Sequence, residues 1–205
     1  MHLKGSRHLN FADSTQDNLS GVIPRLPSPI GMRIGALVTA IVMIPLCPLA
    51  KWSFRRVALA QRDEVHIVGN SQDSVETSLF AGRALAALDL LADMDRRRYQ
   101  RVTRYIRFIM ASRMPGKTAG YYWYWKLCRV NAEWLNSASD ETNAARALAC
   151  ILVHESTHGL IRSRRIGGSP ALQDRIERVC RKEARRFGQR FGALWFKQHA
   201  QFLRR

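Results

Sequence analysis

The sequence predicts a mostly helical α+β domain with a short sheet, preceded by an apolar N-terminal segment. Three observations predict it. Apolar residues recur at helical spacing over several long stretches, whereas only short stretches are rich in β-branched or aromatic residues. A run of good helix formers, Ala144 to Leu152, leads into ten residues that carry three ionisable side chains. Ile34 to Ala50 is almost wholly apolar. The chain has 205 residues, 46% of them hydrophobic, which suffices for one domain with a real core and excludes a disordered chain. The expected organisation is a flexible leader over 1–31, a transmembrane or signal-like segment over 32–51, and the folded domain over 52–205.

The leader is polar and mixed, with Ser20-Gly21, Pro24, Pro27 and Pro29. The apolar run after it sits at the lower limit for a spanning helix, about 17 residues, and carries Pro45 and Pro48 near its end. Three readings compete. It is a single-pass membrane anchor, a signal peptide whose start is Met32 with Arg33 as its basic end, or a core helix. No small-residue cleavage signature follows, which favours the anchor. Arg25 and Arg33 precede the run, and Lys51, Arg55, Arg56 and Arg62 follow it, so the positive-inside rule puts the domain on the cytoplasmic side. A signal peptide would export it instead.

Residues 62–69 read as a short strand closed by Gly69-Asn70, with His66 a structural histidine inside it. Residues 74–93 read as an amphipathic helix through Val75, Leu79, Ala84, Leu85, Leu88 and Leu91. Residues 95–113 read as a second, very basic helix. Its apolar stripe is Tyr99, Val102, Ile106, Ile109 and Met110, and its arginines (Arg96, Arg97, Arg98, Arg101, Arg104, Arg107) are a solvated face or, as the alternative, an anion-binding one. Pro115-Gly116 and Gly120 mark a loop. Tyr121 to Val130 is aromatic and β-branched and reads as a strand covered on both faces, with Ala132 to Leu135 as another strand. The helix from Ala144 takes Asp140 or Ser139 as its N-cap, and Gly167 and Gly168 end that region.

The last helix opens with Ser169 as N-cap and Pro170 at its first position. Its stripe is Leu172, Ile176, Val179, Cys180, Phe187, Phe191 and Leu194. Arg175, Arg178, Arg181, Lys182, Arg185 and Arg186 face away, and Gly188 and Gly192 bend it. The four cysteines, Cys47, Cys128, Cys150 and Cys180, form no C-x-x-C and read as thiols; Cys150, four residues before His154, reads as core packing.

The ten residues Ile151 to Leu160 contain His154-Glu155-Ser156-Thr157-His158. On a helix, His154 and His158 lie one above the other, so their imidazoles can hold one zinc ion (Zn2+) while Glu155 reaches its water. The competing reading is a buried helix with two satisfied histidines. It must account for three polar groups inside an apolar stretch, which is costly unless they are paired. Glu183 lies within the stripe of the last helix, so it too must be paired or bind something. It is a candidate third ligand, or an acceptor for the second ring N–H of a histidine.

The motif and its apolar lead resemble the active-site helix of the zincin metallopeptidases, buried on one side and open to a cleft on the other. The spacing H-E-x-x-H-x18-E, ending at Glu177, resembles the gluzincins, in which a glutamate on a following helix completes the site. That resemblance spans roughly residues 119–187. It implies a zinc metallopeptidase acting on a peptide or protein, with His154, His158 and Glu177 as ligands and Glu155 as general base. Glu183 and Asp174 stay open as alternatives to Glu177. It also implies that the strand before the active helix lines the cleft and pairs with substrate, which points to Tyr121, Tyr122 and Tyr124. A tyrosine from that set, or an arginine, would stabilise the oxyanion. Histidine at the metzincin spacing is absent. Arg175 to Glu183, followed by Phe187, resembles small uncharacterised H-E-x-x-H proteins, a likeness that carries no function with it.

The formal net charge is +17 and the pI about 10.9. Such a balance favours anionic partners, namely phospholipid headgroups, nucleic acid or acidic polymers, or is simply a solvated basic surface. The alternative function is therefore a non-enzymatic basic protein associated with membrane or nucleic acid, its histidine helix serving as scaffold. A metal-binding protein without turnover is a third reading. No helix-turn-helix, zinc-finger or RNA-recognition signature supports nucleic acid.

Overall fold

A computed structural model of the chain describes residues 51–69, 74–136, 140–164 and 170–199. The leader, the apolar run 34–50, Ser139 and Ser169, and Gly167 and Gly168 lie outside the described residues. Among the described residues no helix is long and apolar enough to cross a membrane.

Residues 51–56 are helical and lead into a hairpin of β1 (Ala58–Arg62) and β2 (Val65–Val68). The single strand expected over 62–69 is thus the second arm of a pair: the chain reverses at Asp63, whose φ of 49° is one that aspartate tolerates. Next come α1 (Ser74–Met94), α2 (Arg96–Tyr105), β3 (Phe108–Ser112), β4 (Ala119–Tyr122), β5 (Leu127–Asn131) and α3 (Ala132–Asn136). The C-terminal part comprises α4 (Glu141–Ser163), α5 (Pro170–Gly188), a 3-10 turn at Gln189–Phe191, and α6 (Ala193–His199). The fold is α+β, with a five-stranded mixed sheet in the order β1-β2-β3-β5-β4. The three central strands run parallel and the two edge strands are antiparallel to their neighbours.

Parallel strands need cover on both faces. One face sends Val65, Ile67, Ile109, Cys128 and Val130 into the main core with Leu88, Leu148, Leu152 and Phe187. The other buries Val68, Phe108 and Leu127 under Phe54, Met110 and Trp125. His66 stacks on Phe108 at 5.5 Å, as a structural histidine should.

Several expected elements differ. The second helix stops at Tyr105 instead of residue 113. Ile106 is extended (φ −112°, ψ 122°), and Phe108 to Ser112 fills the slot between β2 and β5. Tyr121 to Val130 is a hairpin, with a turn over residues 123–126 in which Lys126 has φ 51°. Ala132 to Leu135 is a helical turn that buries Leu135. On α5 the buried stripe is Ile176, Cys180, Ala184 and Phe187, while Val179 is 43% exposed and Leu194, beyond the helix, 72%. Gly188 ends α5, and Gly192, with φ 97°, turns the chain into α6.

The centre of the domain is α4. Asp140 caps it by accepting the Asn143 N–H at 2.7 Å. Every residue from Ala147 to Val153 is buried, as expected of a helix covered on all sides. Arg83 of α1 holds its first turn, donating to both carboxylate oxygens of Glu141 at 2.9 and 2.7 Å. Gly159 is required by close approach: a Cβ there would meet Tyr105 Cβ at 2.7 Å and the Tyr121 hydroxyl at 2.9 Å. Cys128, Cys150 and Cys180 are free and buried.

Candidate metal centre

On α4, Ser156 and Thr157 satisfy their buried hydroxyls by donating to the Val153 carbonyl, at 3.1 and 2.7 Å. His154, Glu155 and His158 remain for the cleft. The two histidine Nε2 atoms are 3.1 Å apart. Glu177, on α5, brings Oε1 to 3.0 Å from His158 Nε2 and Oε2 to 3.5 Å from His154 Nε2. A tetrahedral ion with bonds of about 2.0–2.2 Å spaces its ligand atoms by about 3.3–3.6 Å. The separation of the two histidine nitrogens is within a few tenths of an ångström of that edge, and Glu177 meets the two rings through different carboxylate oxygens, so the cluster offers donors that could hold a metal ion.

Cys180 is the residue that sequence reasoning missed as a site group. Its sulfur lies within 4.8 Å of the ligand nitrogens of both histidines, and it is in hydrogen-bonding contact with the His158 ring. The available signal was its position three residues after Glu177, on the same helical face. Glu183 is not brought to the histidines. Its carboxylate receives Arg98 at 3.2 Å, Arg186 at 3.1 Å and Arg101 at 3.5 Å. That is the pairing its burial demanded, and it shows that Arg98 and Arg101 are not a solvated face. Asp174 is exposed and outside the cluster.

Charge in the site is tightly coupled. Glu155 is only 6% exposed. Burial pushes its pKa up, against the pull of His154 and His158. Hydrogen bonds from both imidazoles hold Glu177 well below the usual carboxylate range. Burial opposes charge on His158, but contacts with Cys180 and Glu177 push it up to about 10. Burial raises the Cys180 thiol.

These groups open onto a cleft of about 540 Å³. Gly120 and Tyr121 of β4 form one wall, α4 the floor, and Ile176, Glu177 and Arg181 of α5 the other wall. Arg181, expected to face away, instead has its Nε 3.8 Å from Glu177 Oε2. Of the three candidate tyrosines only Tyr121 lines the cleft, and its hydroxyl donates to the Tyr105 carbonyl at 2.7 Å. Tyr122 stacks on Trp125, and Tyr124 packs on Trp123 at the hairpin tip. β4 is an edge strand that pairs only with β5 among the described residues. No family model, curated protein or solved structure matches the chain. The reading of the site therefore rests on its own residues.

Proposed function

We propose that the chain is a zinc-dependent hydrolase of the peptidase type. The observation that carries this reading is the meeting of His154, His158 and Glu177, with contacts of 3.0–3.5 Å between them, and Glu155 beside them at the base of an open cleft. Zinc held by those three side chains would leave one coordination position to water and supply Lewis acidity, bringing that water's pKa toward about 7. Glu155 then accepts the proton of the attacking water and returns it to the leaving amine. The free edge of β4 offers backbone groups to an extended peptide, and Tyr121 shapes the wall beside it. The apolar run 34–50 supports a membrane tether for this hydrolase.

A second reading is favoured by Cys180. Four protein donors would close the site and make it structural, because catalytic zinc keeps a position open. The non-enzymatic alternative, a basic protein on membrane or nucleic acid, would bind with a steep salt dependence and carry no stoichiometric metal.

The test is zinc content and peptide turnover of the purified full chain. Glu155→Ala should keep one equivalent of zinc and lose activity by about 100-fold or more, the scale of a general base. His158→Ala should lose both. Zinc retained in His158→Ala overturns the assignment.

A further inference from the structure

We propose that the cleft selects peptides with an acidic side chain one or two residues from the scissile bond, and that Arg162 reads that side chain. The inference rests on the hydrolase reading and adds a substrate class to it. Past His158, α4 turns Ile161 and Arg162 toward the cleft. Arg162 is four residues beyond His158, one turn or about 6 Å along the same face. An extended peptide advances about 3.3 Å per residue, which sets the distance from the cleaved bond.

The guanidinium has an aromatic neighbour. Its Cζ lies 5.1 Å from the ring centroid of Trp123, at the tip of the β4–β5 hairpin. A guanidinium over an aromatic ring is attracted to it through the ring's face, and its N–H groups can still turn to a carboxylate. Among the described residues, no ion pair engages Arg162 or Lys117. The rim therefore carries three cations, Lys117 before β4, Arg162 on α4 and Arg181 on α5, and only Arg181 leans on a carboxylate. The two carboxylates lining the cleft, Glu155 and Glu177, both belong to the metal centre. A negative group on the substrate thus meets Lys117 and Arg162 without a competing carboxylate. The edge strand along the wall favours a peptide over nucleic acid as the bearer of that charge.

The experiment uses the full-length Glu155→Gln protein with one equivalent of zinc, so that nothing is cleaved. Binding of fluorescein-labelled Ala/Ser nonapeptides carrying a single central Glu, Gln or Lys is followed by anisotropy. The Glu peptide should bind about tenfold tighter than the Gln peptide, the scale of one charge-assisted bidentate contact, and the Lys peptide weakest. Adding Arg162→Gln should abolish the difference. Arg162→Lys should restore only a small part of it, because the charge returns without the fork. Arg97→Gln, exposed on α2, should leave it intact and so control for overall charge. Equal affinities, a preference that survives Arg162→Gln, no measurable binding, or displacement of the Glu peptide by a lower concentration of a nine-nucleotide single-stranded DNA each overturns the proposal. Wild-type turnover of the Glu peptide is measured alongside. Acidic preference without turnover supports the selection and removes the peptidase reading.

Discussion

Two acidic side chains on α5 compete for one pair of imidazoles, and the choice between them decides what kind of centre this is. Glu177 already spans both rings at 3.0 and 3.5 Å, from the side open to the cleft. Cys180 sits fully buried behind His158, where a thiol acts through the ring it touches. Cys180→Ser should therefore weaken metal binding by about 10–100-fold, the usual scale for an outer partner, and still fill the site at micromolar zinc. Glu177→Gln should empty it under the same conditions. The cobalt-substituted protein provides the check. A sulfur-to-metal charge-transfer band that disappears in Cys180→Ser would add Cys180 to His154, His158 and Glu177 as a fourth donor and close the site. The histidines were legible in the sequence because their spacing is the helix repeat itself. Cys180 was not, because a buried cysteine on an apolar stripe looks like packing. Glu183 was half legible: its burial announced a need for partners, but Arg98 and Arg101 come from a helix more than 80 residues earlier in the chain.

The boundary between α2 and β3 shows where periodicity fails as a guide. Val102, Ile106 and Ile109 keep helical spacing across Arg107, so a single helix fits the pattern as well as a helix and a strand. What ends the helix is the sheet: β2 and β5 leave a slot that only an extended Phe108–Ser112 fills. The start of α2 is fixed more locally. Asp95 accepts the Arg98 backbone N–H at 3.0 Å, pairs with the Arg98 guanidinium, and takes Arg190 at 2.9 Å from the C-terminal segment. Burial opposes its charge, yet the hydrogen bonds from Arg98 and the charge of Arg190 hold its pKa below the ordinary 3.8. A depressed carboxylate contributes stability that is present above its unfolded pKa and lost as pH falls through the folded one. Asp95→Asn keeps the cap acceptor and removes the charge. Near pH 7 it should cost about 3 kcal/mol, the low end for removing one partner of a buried pair. The gap to wild type should narrow as the pH drops below about 4. Urea titrations at pH 7 and pH 3 measure it, and a gap that does not change with pH would show that the charge contributes nothing.

At the scale of the whole molecule, the α+β class and the central helix were legible, but the sheet order was not. The order β2-β3-β5 joins parallel strands through distant crossovers, and no local residue pattern encodes which strands become neighbours. The same non-local construction makes the metal centre a tie between parts of the fold. α4 carries two of the proposed ligands from the core, and α5, the next helix in the chain, brings the third. An ion bound to all three favours the folded chain, because the unfolded chain does not hold them together. Free zinc at 100 times its Kd would add about 2.7 kcal/mol to stability by mass action. At about 2–4 °C per kcal/mol for a chain of this size, chelation should lower Tm by roughly 5–10 °C. Returning zinc should restore it, whereas His158→Ala should melt at one temperature with or without chelator. Thermal denaturation in EDTA against a zinc-replete sample measures the difference. A wild-type Tm that ignores the chelator would mean that α4 and α5 are joined by packing alone, and the cluster of His154, His158 and Glu177 would then be an ordinary imidazole–carboxylate network.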